Sequence, residues 1–387
     1  MAGKSAETEA GPWTMVAQVR SDDSVYRRVS SVATSELLER SRRSKFGEEI
    51  MSSAWSPDGS LFAWAVGTEL VSIHNVAQIL HTDRPATNEN PESLGRVAVL
   101  DCGAGASVTC MYFGSRVSDV KWHSGEVKYN RFEEQMRGQM LLAVGLATGD
   151  IKIFDVATGK MMMVLKDHTD AVTDLQFSPD GSLVLLSASK DTSVKLWDLL
   201  DDGNMFRTLP RLDSGKRHVK DVSWSPDAKR IATVGDGKMA VLWEVKNYEI
   251  ERQLEGHQND VTGVRFHEDG RRLFTCSFDT RVICWNISDG KKLFALEHMQ
   301  PPPTSIFASG TNEHEVTRMD LRGNQLASLC NDGMLRIWNV AGDSQPAAPE
   351  AVLEIVPDAK SISFSDNGRV LAVGCLGGIL QFYARSR

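Results

Sequence analysis

The sequence predicts an all-β protein, a closed ring of seven four-stranded blades, or β-propeller, on three observations. An aromatic followed by a tight turn recurs as WSPDG from Trp55, FSPDG from Phe177, WSPDA from Trp224, FHEDG from Phe266 and FSDNG from Phe364. An alternating run ending in an aromatic and a polar residue recurs as KIFDV, KLWDL, VLWEV, ICWNI and RIWNV, with its aromatic at Phe154, Trp197, Trp243, Trp285 and Trp338. The interval between the two phrases is nearly constant, 20, 19 and 19 residues for Phe177–Trp197, Trp224–Trp243 and Phe266–Trp285.

The elements follow in chain order. Residues 1–48 form an N-terminal segment expected to supply the strand that closes the ring, within Thr14–Val32, where MVAQV and SVYRRV are the extended candidates. Residues 49–383 carry the blades. The first spans Trp55 to His74 at the common interval, and the second, Phe113 to Phe154, is stretched by an insertion. Three regular blades follow, then a shortened sixth from Leu321 to Trp338, and a seventh from Phe364 to Tyr383. Residues 384–387 remain as a short tail. Pro pre-sets φ in the Pro-Asp-Gly turns and Gly is free to take positive φ, which suits the first hairpin of a blade. No such blade covers both of its faces alone, so a ring must bury them collectively. Closure also removes the exposed edge of the last sheet.

Composition narrows the function. Lys and Arg total 43 against 51 Asp and Glu, a mild acidic excess unsuited to phosphate-backbone binding, so nucleic acid is not expected as a ligand. Apolar runs such as Met161–Leu165 are far too short for a membrane helix, and MAGKSAETEAGP has no apolar leader segment. Cys102, Cys110, Cys276, Cys284, Cys330 and Cys375 form no CxxC pair and read as small buried residues in a reducing compartment, cytoplasmic or nuclear. No GxGxxG, P-loop, HExxH or GxSxG element occurs, so neither cofactor nor metal is expected. His123 and Glu126 are two donors without further ligands.

A repeat of 40–45 residues with these phrases resembles the WD40 repeat. The resemblance implies buried tetrads of His, Ser or Thr, Asp and Trp: His168, Ser187, Asp191 and Trp197 in the third blade, and His257, Thr275, Asp279 and Trp285 in the fifth. In isolation His168, Ser187 and Asp191 look like a hydrolase triad, but their recurrence at matching offsets favours the structural reading. The fourth blade departs from the pattern. Gly237 stands at the Asp position, Asp236 comes one residue early, and His218 lies only six residues before Trp224, so this blade is expected to be less well tied.

The likeness narrows further. The stretch Lys166–Met205, LDCG at Leu100–Gly103, SFDTRVICWN at Ser277–Asn286 and PPPTSIF at Pro301–Phe307 resemble WD repeat and SOCS box-containing proteins over roughly residues 46–384. That resemblance implies a substrate receptor of a ubiquitin ligase, whose propeller holds a protein target and whose SOCS box recruits elongins B and C and a cullin. Ala384–Arg387 is too short for such a box, so the resemblance extends to the target-holding half.

A target is expected on the face whose loops enter the inner strands. Candidate contacts there are Asp170, Lys190, Asp260, Phe278, His314 and Asn331, joined by Ile306 and Phe307 in the proline-led insertion Met299–Glu313. Phe278 is either an interface anchor or a side chain packed on the neighbouring blade. The polar insertion Ala77–Arg96 reads as a flexible loop, and Gly114–Gly138 splits the second blade. Arg27-Arg28-Val29-Ser30 and the basic run Arg40–Lys45 make Ser30 and Ser44 candidate phosphorylation sites, against the plainer reading of a solvated basic surface. The sequence therefore predicts a non-enzymatic protein-binding propeller resembling a ligase receptor. Its rivals are a structural scaffold subunit of a multiprotein complex without ubiquitin chemistry, and a truncated isoform unable to recruit the ligase.

Overall fold

The computed structural model describes residues 13–20, 52–66, 69–80, 96–103, 105–115, 139–209, 217–298, 315–355, 359–375 and 379–385. Among these, the strands form seven four-stranded antiparallel sheets. Blade 3 is representative: Val172–Phe177 lines the centre, Val184–Ser189 and Val194–Asp198 follow outward, and Asn204–Leu209 forms the rim. The inner strands of blades 1, 2 and 4 are Ser53–Trp55, Val108–Ser115 and Val219–Trp224. Those of blades 5, 6 and 7 are Val261–Phe266, Val316–Arg322 and Ala359–Phe364.

Strand alternation builds the core. Leu183, Leu185, Trp197 and Leu199 of blade 3 pack against Leu141, Ile151 and Leu165 of blade 2. Their neighbours Val184, Leu186, Val194 and Leu196 point the other way, onto Val222, Ile231 and Trp243 of blade 4. Period-two exposure of one strand to two partners is what a twisted sheet between two others requires. Among the described residues there are seven such apolar clusters, one at each junction between neighbouring blades. The core is thus distributed around the ring.

The turns follow their sequence. In blade 1, Gly59 takes φ 68°, Ser56 Oγ donates to Asp58 at 2.5 Å, and the Leu61 amide donates back to Ser56 Oγ at 2.9 Å. Blade 4 repeats this motif with Ala228 in the left-handed region at φ 56°.

Closure is made by Trp13–Arg20, which contains MVAQV and pairs antiparallel with Ile379–Arg385. Trp13 is buried against Phe364, ring centroids 5.9 Å apart. The other closing candidate, SVYRRV, lies outside the described residues. Two boundaries need correction. Ala384 and Arg385 are not a tail, because they pair with Thr14 and Trp13, and Arg385 also holds Glu350 at 2.6 Å. The start of the first insertion is not a loop, because Val76–Leu80 forms a short helix that buries Val76 and Ile79 against Leu70 and Phe382.

Candidate functional site

In blade 3 the Trp197 indole donates to Ser187 Oγ at 2.9 Å, and His168 bridges Ser187 at 2.7 Å and Asp191 at 2.7 Å. Blade 5 repeats the chain, with Trp285 to Thr275 at 2.8 Å and His257 to Thr275 and Asp279 at 2.7 and 2.8 Å. Each carboxylate also receives the amide after its histidine, from Thr169 at 3.1 Å and Gln258 at 2.8 Å. Burial alone would raise the Asp191 carboxyl; hydrogen bonds from His168 and Ser193 overrule it and hold the group well below the usual carboxylate range. Ser187 is wholly buried and its hydroxyl is engaged on both sides, so this constellation has no open nucleophile. The tetrads fasten each blade's second and third strands to the loop entering its inner strand.

A third set occurs in blade 6, which the sequence reading passed over. His298 meets Ser328 Oγ at 2.7 Å and Trp338 donates to the same oxygen at 3.0 Å, but Asp332 turns to Arg336 at 2.6 Å. Among the described residues no carboxylate meets His298 Nδ1, and burial with Arg336 nearby pushes its pKa down to about 4. The proline-led insertion hid this histidine by lengthening its distance to the next inner strand. Counting forward from the previous closing aromatic reveals it: His168 follows Phe154 by 14 residues, His257 follows Trp243 by 14, and His298 follows Trp285 by 13.

Blade 4 keeps only pieces of the chain. Trp243 donates to Thr233 at 3.0 Å, while His218 and Asp236 meet at 3.4 Å near the surface. Gly235 stands where blades 3 and 5 have Ser189 and Ser277, and a Cβ there would collide with the His218 carbonyl oxygen. Lys220 ties the region together, reaching Asp236 at 3.0 Å and Asp260 at 2.9 Å. Its ammonium also lies 4.8 Å from the centre of the Phe278 ring. Phe278 is therefore half-buried beneath a cation of the neighbouring blade, a geometry between the two alternatives read from sequence. Asp170, Lys190 and Asn331 are exposed on the same loop face and Asp260 is half-buried. His314, Ile306, Phe307, Ser30 and Ser44 lie outside the described residues, as do His123 and Glu126.

The seven inner strands enclose a central channel of about 530 Å³. Its wall mixes polar and apolar side chains, and most of its carboxylates are bonded within the wall. Asp174, Asp221 and Asp320 accept backbone N–H groups of the next inner strand from Val222, Val264 and Phe364 at 3.3, 2.8 and 2.7 Å. Arg265 donates to both Asp221 oxygens at 2.8 Å and lies 3.6 Å from Asp320. Burial and the adjacent Asp221 charge push the Asp174 carboxyl well up, while Arg265 holds Asp221 down against its own burial. At the loop end, Thr109, Thr173 and Thr262 sit at register shifts in their strands and donate to Val172, Val219 and Val316 carbonyls of the next blade. All six cysteines are buried thiols, and burial pushes Cys102 and Cys276 up to about 12. Among the described residues no metal-ligand cluster occurs and no helix is long and apolar enough to cross a membrane.

The closed ring and its repeated His–Ser/Thr–Trp chains define a WD40 propeller. The family described as "WD domain, G-beta repeat" matches residues 159–198, 208–244 and 248–286. The chain is 37% identical over 361 residues to WD repeat and SOCS box-containing protein 1 of Xenopus tropicalis, covering 88% of this chain and 82% of the relative. It is 37% identical to the Homo sapiens protein of that name over 364 residues, covering 89% and 83%. With the Takifugu rubripes protein it shares 38% over 363 residues, covering 88% and 82%. This chain belongs to the family of WD repeat and SOCS box-containing proteins.

Proposed function

We propose that this propeller binds a protein target on its loop face as the substrate-recognition subunit of an elongin–cullin ubiquitin ligase. The observation that carries the reading is family membership across more than four-fifths of the relatives' length, since the name of those relatives pairs the propeller with the box that recruits a ligase. The geometry supports a binding role without catalysis. The triad-like groups of blades 3 and 5 are consumed in fastening loops, whereas Asp170, Lys190 and Asn331 are exposed and Lys220, which lines the channel, lies over the Phe278 ring. Recognition of this kind needs no cofactor. The six buried thiols suit a cytoplasmic or nuclear setting.

Affinity capture of the full chain from cells, with proteasome activity blocked, tests both halves. Elongins B and C and a cullin should be recovered in near-stoichiometric amounts, with further proteins whose half-lives lengthen when this chain is depleted. Recovery of one fixed partner set, without ligase subunits and without any change in half-life, would instead make the chain a scaffold.

A further inference from the structure

The strand Val316–Arg322 alternates, so Arg318 shares a face with Asp320, and both line the channel. Arg318 lies near the loop end of that strand and is exposed. Among the described residues its guanidinium donates from Nη1 to the carbonyl of adjacent Thr317 at 3.0 Å. The other described cations of the channel wall are committed: Arg265 to Asp221 and Asp320, Lys220 to Asp236 and Asp260, and Arg322 to Asp366. Among the described residues of this wall, Arg318 alone is a cation without a carboxylate. Deeper in the same channel Tyr112 is 36% exposed, a further large side chain left open to the bore.

We propose that Arg318 is the specificity anchor of the channel mouth, receiving an Asp or Glu side chain of the protein target. This rests on the target-binding reading above and names the chemistry of the bound segment. A guanidinium with most of its donors open offers a planar fork suited to a carboxylate. The channel carboxylates do not occupy it, because each is held by a backbone N–H of the next blade. Nor do they all oppose an incoming anion: Arg265 sits among them, donating to both Asp221 oxygens and lying 3.6 Å from Asp320. Low dielectric between protein walls strengthens the pairing relative to a surface ion pair.

The test uses the full-length chain and three labelled peptides that are identical except for a central Glu, Gln or Lys in a Gly-Ser-Ala background, followed by fluorescence anisotropy. The Glu peptide should bind best and weaken as salt rises. Arg318→Gln should weaken it on the order of tenfold, and Arg318→Glu should shift preference to the Lys peptide. Arg322→Gln, at the opposite mouth, should leave the ranking unchanged. Equal binding of the Glu and Gln peptides, no Glu binding at millimolar concentration, or Glu binding unchanged in Arg318→Glu would each overturn the proposal. Circular dichroism of each variant verifies the fold. If Arg318→Glu captures the same cellular targets as the wild type, the anchor fails while the receptor reading stands. If the wild type captures no target but still ranks the peptides as expected, the receptor reading fails while Arg318 is retained as a carboxylate-binding site.

Discussion

His298 is a buried imidazole whose carboxylate has been drawn away. Asp332, which by position would take Nδ1, is held by Arg336 at 2.6 Å instead. The unfolded chain takes a proton at this group near pH 6.5, whereas the folded protein resists it until about pH 4. Its contribution is therefore fully present above 6.5 and is lost as pH falls from 6.5 to 4, by about 3 kcal/mol. Urea unfolding at pH 7.5 and 4.5 should show a smaller pH-dependent loss in His298→Gln than in the wild type. Ser187 and Thr233 make a second comparison at this scale. Ser187 serves His168 and Trp197, so Ser187→Ala should cost about 3 kcal/mol; Thr233 receives only Trp243 in the chain, so Thr233→Ala should cost about half as much. Equal losses in chemical denaturation would contradict this division. The residues of blades 3 and 5 were legible because their offsets repeat. Asp332's defection to Arg336 was not, since a side chain's choice between two partners leaves no periodic trace.

The strand Trp13–Arg20 makes a distant segment part of the last sheet, and Trp13 fills the junction between blades 6 and 7. Trp13→Ala removes a side chain that is only 2% exposed and should cost about 3–5 kcal/mol, read as a lower thermal midpoint and a lower urea midpoint. An unchanged midpoint would mean that closure does not depend on this anchor. The need for a closing strand was legible, because a ring leaves no open sheet edge, and MVAQV was one of two extended candidates. The strand's extension through Arg385 was not, since ARS after Tyr383 carries no alternating pattern. The helix Val76–Leu80 was also missed: five residues give too short a window for helical periodicity, and it is held by its contacts with Leu70 and Phe382 and by the Asn75 side chain capping the Ala77 amide.

Across the whole molecule, stability is a sum over seven junctions, and the loop-face fastenings differ from blade to blade. Blade 4 joins its neighbours through full apolar clusters but lacks the His–Thr link at the loop end. Native-state hydrogen exchange should therefore find the Val234–Val241 hairpin opening at lower free energy than Ala188–Val194 or Cys276–Val282. Similar protection in all three would show that apolar packing alone sets blade stability. The ring itself was legible from the interval between phrases, because every blade restates it. The Arg265–Asp221–Asp320 bridge was not, since it joins three blades through residues whose separations follow from radius and register rather than from the repeat.

The amide-capping side chains of the bore have a consequence for how anything inside it can be read. Inner-strand amides of Val222, Trp224, Val264, Phe266 and Phe364 already donate to Asp174, Gln176, Asp221, Ser223 and Asp320. A segment threading the channel would find these main-chain donors taken, so it could not add itself there as another strand, the mode that tolerates almost any sequence. What remains on offer is side-chain chemistry, and that makes the passage a reader of composition rather than of backbone.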